Sequence, residues 1–421
     1  MSASRESPVR FIVVLQRCWP WLPGLWLIAA LAAWVVPSQL QTLVAWPDPE
    51  QIVLLVGMGV AAVWLVGLLS GLGPAVRTPV DWPLAVIVLW LPANYWASAD
   101  KSASIPAAAN LLIGVAIFYL VVAVAQAAGR PRWPLYLFLT AGAGLLLGVV
   151  LVPDGLRDRL TLPAPVLALA GRVPDTINAN VLAGALLPAA VLAGGLVLAS
   201  GNWLRRIACV LLVGAAAAVM ILGASRGALL GLGVGLLAVL LARGGWYRVS
   251  GLLATVGIGV GVWRFGVGTL LELLGKGGAA GSLAGRLEIW SRALYALQDF
   301  VFTGIGIGTF PLVIPLLYPY FTVGFDTPIP HAHNLILQVG ADLGLPGLVA
   351  YATILVLSLW VTATTAARGE RRFMRHVAAG LFGAQVAVLT HGVFDAVLWG
   401  TKPAFIGWWL LGLMVVISSK E

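Results

Sequence analysis

The chain holds four histidines, and three of them stand in settings that could do chemistry. His331 and His333 lie two residues apart in "PHAHN", directly ahead of a long apolar run. An imidazole at such a helix mouth can serve as a general base near neutral pH, or it can be a hydrogen-bonded interface residue. His391 precedes Asp395 by four residues in "THGVFDAVLW", a spacing that reads first as a buried hydrogen-bonded pair and second as two groups facing a substrate. Arg226 follows Ser225 in "GASRGALLG", and Arg286 sits in "AGRLEIW". A guanidinium fork matches phosphate oxygens, and each arginine lies near an expected helix N-terminus, where free N–H groups favour an anion. Two such positions suggest a pyrophosphate. The competing readings are a snorkelling interfacial residue for Arg226 and a solvated helix face for Arg286. Asn178 and Asn180 in "TINAN" and Asn334 after His333 complete the polar set. A metal is not expected, because no carboxylate or cysteine completes the His-x-His pair at a convincing sequence spacing; Asp326 is the one close candidate.

These residues must be held by something, and composition says what. Of 421 residues, 60% are hydrophobic and only 10% charged, so lipid must be the solvent. The net charge of +9 lies on no water-soluble domain with a basic stripe, which argues against nucleic acid. Cys18 and Cys209 are far apart and read as free thiols. The N-terminus shows no small-residue cleavage site, so its apolar stretch reads as a first span and not a signal peptide.

Runs long enough to span begin near Trp21, Gln51, Val80, Ile105, Trp133, Asn178, Trp203, Arg226, Arg248, Pro346, Phe373 and Thr401. The third holds Pro83 and Pro92. The tenth has an alternative start at Leu335 with a break at "GLPG". With the N-terminus in the cytoplasm, the inner side receives 15 of the 25 basic and 4 of the 16 acidic residues. That balance obeys the positive-inside rule and puts both termini in the cytoplasm. A large outer loop then runs from about Phe265 to Leu345. Within it, Leu283, Leu287, Trp290, Leu294, Leu297 and Val301 recur at helical spacing with charges on the other face, predicting a helix that lies on the outer membrane surface or caps the bundle. "GIGIGTF" at Gly304 to Phe310 follows no strand and reads as a tight turn. Gly227 and Gly231 read as helix packing. On this topology the sixth, eighth, tenth and eleventh spans and the loop helix bring the polar residues to one shared level. Ionisable residues at membrane depth mark function by default.

In this order the motifs resemble a known superfamily. His333-Asn334, nine residues, then Gly344-Leu-Pro-Gly347 resembles the His-Asn-x9-Gly-x-x-Gly signature of O-antigen ligases and polymerases. "SRG" at Ser225, "GRLEIW…GIGIGTF" from Gly285 to Phe310 and "NAN" at Asn178 resemble its other patches, and the topology is similar to the ligase branch. The resemblance implies an all-α integral membrane protein of about twelve transmembrane helices, one domain over residues 1–421, with a helical periplasmic loop at 265–345. The fold would be similar to membrane glycosyltransferases of the C type, in the bacterial inner membrane.

It implies a metal-independent inverting glycosyltransferase without cofactor, moving O-antigen from undecaprenyl pyrophosphate to lipid A-core at the periplasmic face. Arg226 and Arg286 would hold the pyrophosphate. His333 would act on the acceptor hydroxyl, although His331 is also in reach. His331, Asn334, Asn180, Ser225, His391 and Asp395 would line the substrate. Rival readings are an O-antigen polymerase, a protein O-oligosaccharyltransferase with the same donor, and a transporter of a lipid-linked or anionic solute. A transporter should show midplane helix breaks and inverted repeats.

Overall fold

The computed structural model describes residues 78–127, 132–146, 179–199, 201–266, 283–324 and 327–418. The spans expected near Trp21 and Gln51, Asn178, the 275–281 glycine stretch and Asp326 lie outside them. Among the described residues every regular element is a helix: α1 Asp81–Ala97, α2 Lys101–Ala127, α3 Arg132–Leu145, α4 Ala179–Ala199, α5 Trp203–Leu222, α6 Arg226–Arg243, α7 Trp246–Phe265, α8 Leu283–Asp299, α9 Phe310–Leu317, α10 Leu335–Arg368, α11 Arg372–Gly392 and α12 Phe405–Ser418, the last entered by a short 3-10 turn. Six of them (α2, α4, α5, α6, α10 and α11) are long and apolar enough to cross a membrane. The described residues thus form an all-α bundle of a multi-pass membrane protein. The faces of α5 and α7 agree with this, since Leu204, Leu211, Leu253 and Val256 point outward, and Trp246 and Trp263 stand near the two ends of α7.

Helices α6 and α11 pack backbone to backbone, and glycine makes it possible. A Cβ on Gly231 would meet the Ala387 carbonyl oxygen at 2.8 Å, and one on Gly235 would meet the Gly383 carbonyl oxygen at 2.8 Å. Gly227, Gly231 and Gly235 therefore form a stripe that lets two backbones touch where lipid gives no hydrophobic drive for helix association. The two helices run antiparallel: Gly227 packs on His391, while Arg243 reaches His376. At that second end Arg132 also stacks on Phe373, with Arg372 and Arg375 alongside. One end of the bundle is strongly basic and the other carries the histidine pair.

Helix α10 starts at Leu335, the alternative start of the tenth span, and is capped by Asn334. Its direction changes at Gly344 (φ 69°, ψ −171°). A Cβ there would sit 2.3 Å from the Phe302 carbonyl oxygen, so the "GLPG" break is a place where another backbone crosses. That crossing segment is "GIGIGTF". Gly304, Gly306 and Gly308 all have positive φ, and Ile305 and Ile307 between them are buried. The turn is thus a wedge driven between α1, α2 and α10.

The loop helix α8 exists, and the apolar face marked by its period is mostly directed outward. Leu283, Leu287, Leu294 and Val301 are exposed, whereas Gly285, Ile289, Ala293 and Ala296 are buried. Small residues line the buried face of α8, and Leu297 packs against Gly340 of α10, while Leu283, Leu287 and Leu294 face outward. The segment after α9 is tied back to α8 by Glu288, which accepts from the Phe321, Thr322 and Val323 N–H groups at 2.7–2.9 Å.

Candidate active site

The start of α10 is a pinned turn. His333 has φ 48°, a left-handed conformation that costs a non-glycine residue about 1–3 kcal/mol and persists only where its surroundings over-determine it. Three hydrogen bonds do so. The Ala332 N–H donates to Gln338 Oε1 (2.6 Å), the His333 N–H donates to His331 Nδ1 (3.1 Å), and Trp290 Nε1 on α8 donates to the His333 carbonyl (3.3 Å). Asn334 caps the helix by accepting from the Leu337 N–H, and its amide donates to the Val393 carbonyl at the end of α11. Both polar atoms of Asn334 are therefore engaged within the protein.

Across this turn lies Asp395, buried in the loop after α11. Its Oδ1 is 3.3 Å from His331 Nε2 and 3.7 Å from His333 Nδ1. These distances separate the two imidazoles. His331 accepts a backbone N–H at Nδ1, so in its neutral form the proton is on Nε2 and points to Asp395. Both its nitrogens are occupied. His333 turns Nδ1 toward the same carboxylate at ion-pair distance, which leaves Nε2 as its free atom. Burial pushes the His331 pKa down, against the pull of Asp395, to about 4. Burial alone would raise the Asp395 carboxyl, but His333, His331 and His391 around it hold it down to about 2.

The arginines stand beside this group. Arg286, on the first turn of α8, lies 5.7 Å from the centre of the Phe394 ring. Burial lowers its pKa, with the Asp395 carboxylate opposing and Arg226 reinforcing that shift, so all three charges share one neighbourhood. A guanidinium remains protonated regardless. Arg226 begins α6 after a turn in which Ala224 has φ 50°. His391 completes the floor. A Cβ on Gly184 would be 2.7 Å from its Nε2 and one on Gly227 would be 2.9 Å from its Nδ1, so two glycines on α4 and α6 make room for the ring. A small pocket beside it is lined by Gly184, His391 and Asp395. Asn180 lies on the first turn of α4, half-buried, at the same end.

The polar groups here are unusually unfinished. Among the described residues seven buried side-chain polar atoms lack a hydrogen-bond partner, and five of them are Ser225 Oγ, Arg286 Nε, His333 Nδ1 and the two ring nitrogens of His391. Buried polar atoms are normally satisfied, so a cluster of exceptions at one end of a bundle is the mark of a site.

Two features were not legible in the sequence. Asp395 supplies the carboxylate that the His-x-His pair lacks locally: ligand atoms of His331, His333 and Asp395 all lie within 4.8 Å of one another, so these three could hold a metal ion. Sequence spacing offered the pair no convincing third ligand; in space Asp395 lies beside it. The third group comes from 62 residues downstream in the chain but is adjacent in space. The second feature is a buried network below the turn. Asp342 takes hydrogen bonds from Gln338 Nε2 and Trp399 Nε1, both 2.9 Å, and Asn94 on α1 bridges the carbonyls of Thr303 and Asp342 while accepting from the Ile307 N–H. A carboxylate inside an apolar helix was the available signal for it.

Histidine, carboxylate and arginine side chains are thus gathered at one end of a helical membrane bundle. Residues 208–352, which hold Arg226, Arg286 and the histidine pair, match the family model described as O-antigen ligase. This match over about a third of the chain supports membership of the O-antigen ligase/polymerase superfamily. That family implies a glycosyl-transferring enzyme acting on lipid-linked oligosaccharides. No curated protein matches the chain.

Proposed function

We propose that the protein is an O-antigen ligase, transferring O-antigen polysaccharide from undecaprenyl pyrophosphate to lipid A-core at the periplasmic face of the bacterial inner membrane. The observation that carries this is the cluster of unpartnered polar atoms on Arg286, His333, Ser225 and His391 around Asp395. In the step proposed, an acceptor hydroxyl oxygen attacks the anomeric carbon as the bond from that carbon to the pyrophosphate oxygen breaks, inverting the centre. His333 Nε2 takes the hydroxyl proton. Asp395 orients the ring and balances the imidazolium, as in a carboxylate–histidine pair. Arg226 and Arg286 compensate the charge that develops on the leaving pyrophosphate, where preorganised donors act with most effect. His331, with both nitrogens occupied, shapes the turn.

The topology proposed is twelve spans with both termini in the cytoplasm, supported by the separation of a basic end from the histidine end. Reporter fusions after Arg205 and Arg372 should read as cytoplasmic, and one within 275–281 as periplasmic. No described helix breaks at the middle of the bundle in the manner of a transporter; the interruption in α10 lies at its site end, nine residues in from its start. The function is tested in a deletion strain by lipopolysaccharide gel. Loss of long-chain bands with retention of carrier-linked polymer is the ligase outcome; chains capped at a single repeat would mean a polymerase.

The three ligand atoms of His331, His333 and Asp395 also favour a second reading, a cation site. The two guanidinium charges beside them oppose a divalent ion, and activity in the presence of chelator separates the two readings.

A further inference from the structure

The mechanism proposed above uses no group below the His331–Asn334 turn, yet the most elaborate buried network in the described structure lies there. Its centre is Asp342, 2% exposed. Two side-chain N–H donors address its carboxylate, Gln338 Nε2 and Trp399 Nε1, both at 2.9 Å. The two side-chain donors belong to the two halves of the site. Gln338 holds Ala332, the residue between the histidines, and Trp399 lies four residues after Asp395 in the same loop.

An amide can present oxygen or nitrogen in either direction, and here the carboxylate decides. Both of its oxygens are met by N–H donors, so it acts here as an acceptor, draws the Gln338 NH2 to itself and sends Oε1 to the Ala332 N–H. If Gln338 were turned over, its NH2 would face the Ala332 N–H, donor against donor, and the turn would lose a hydrogen bond. We infer that Asp342, acting through Gln338 and Trp399, is a positioning residue that sets the register of His333 against Asp395. The inference rests on the proposed transferase reading for what that register is used for, but the geometric link stands apart from it.

The chemistry supplies a direct test. Asp342→Asn places an NH2 opposite Gln338. The glutamine then turns its oxygen toward position 342 and its NH2 toward Ala332, so the conflict is passed to the histidine turn. Adding Gln338→Glu reverses this. The carboxylate introduced at position 338 accepts from both the new amide at position 342 and the Ala332 N–H, while the oxygen of that amide still accepts from Trp399. One amide and one carboxylate remain in the pair with their places exchanged.

Transfer from purified carrier-linked donor is measured for the wild type, Asp342→Asn and the double variant, in detergent, with thermal unfolding recorded for each. A misplacement of about 1 Å costs on the order of 10²-fold in rate. The single variant should therefore lose kcat on that scale with KM for the donor little changed, and the double variant should recover most of it, a coupling that only interacting residues show. Should Asp342→Asn not be recovered folded, Gln338→Met, which cuts the tie to Ala332 and leaves Trp399 on Asp342, is read in its place with the same expected loss. An unchanged kcat in the single variant, a loss that appears only in KM, or a double variant no better than the single would overturn the inference.

Diethyl pyrocarbonate labelling of the peptide carrying His331 and His333, read by mass spectrometry, gives a second readout that needs no turnover. The single variant should alter the ratio of the two labels and the double variant restore it. If the wild type transfers no glycan but the ratio responds in this way, the proposed function fails and the positioning role stands. If the wild type is active and neither readout responds, the positioning role fails alone.

Discussion

The two ends of the bundle both set histidine beside arginine, and only one of them has the makings of a site. At the basic end, His376 accepts the Arg243 Nε–H at 2.9 Å, and the charges that bear on it, Arg243, Arg372 and Arg375, are all of one sign. The arginine donor is matched and the arrangement is complete. At the other end, Asp395 introduces the opposite charge, Arg286 keeps a buried Nε–H without a partner, and His333 faces the carboxylate at 3.7 Å with its second nitrogen free. The lesson is that a cluster of cations does not by itself identify chemistry in a membrane protein, where basic residues gather at helix ends for topological reasons. Unpaired donors around a charge of mixed sign do.

The largest effect expected on that contrast is at His333. Removing a positioned base typically costs on the order of 10²–10⁴-fold in rate, so His333→Ala should lose nearly all transfer while donor binding persists. His331→Ala should lose less. Assays of the two variants side by side decide between the imidazoles, and an active His333 variant with a dead His331 variant would exchange their roles.

Next comes the pair of arginines. Lysine keeps the charge and loses the fork, and a hydrogen bond to a charged group is worth about 1.5–3 kcal/mol, or roughly 10- to 100-fold in rate. Arg226→Lys and Arg286→Lys should slow transfer on this scale. Arg243→Lys at the opposite end should not, and a matching loss there would erase the distinction between the ends.

A smaller effect is expected in stability against pH. His331 titrates at about 4 in the fold against an ordinary 6.5. Between those values the unfolded chain binds a proton that the folded chain does not, so stability falls as pH drops from 6.5 toward 4. Asp395, held at about 2 against 3.8, adds a second loss only below pH 3.8. Thermal unfolding in detergent at pH 7.5 and 4.5 should show the first loss in the wild type and a reduced one in His331→Gln. The smallest effect is a null one: EDTA should leave wild-type transfer unchanged, and inhibition reversed by added metal would convert the histidine–aspartate group into a cation site.

Much of this protein can be read from composition and period, because the bilayer admits so few solutions for a backbone. Nine of the twelve expected starts have a described helix beginning within a few residues, and the tenth span begins at its alternative, Leu335. The break at Gly344 and the turn at Gly304 were visible as glycine patterns. The reason is local: apolar length, helix caps and positive φ are properties of short segments. Whether the apolar face of α8 meets the membrane surface or caps the bundle was left open by the sequence. Hydrophobic period assumes that large apolar residues seek the protein core, whereas beside lipid they can face outward and leave the close contacts to Gly285, Ala293 and Ala296. Nor could sequence set Asp395 beside both His331 and His333, or join Gln338 and Trp399 through Asp342. Those pairings depend on which segments the bundle brings within about 3 to 4 Å, and hydrogen bonds of that length are decided by tertiary packing alone.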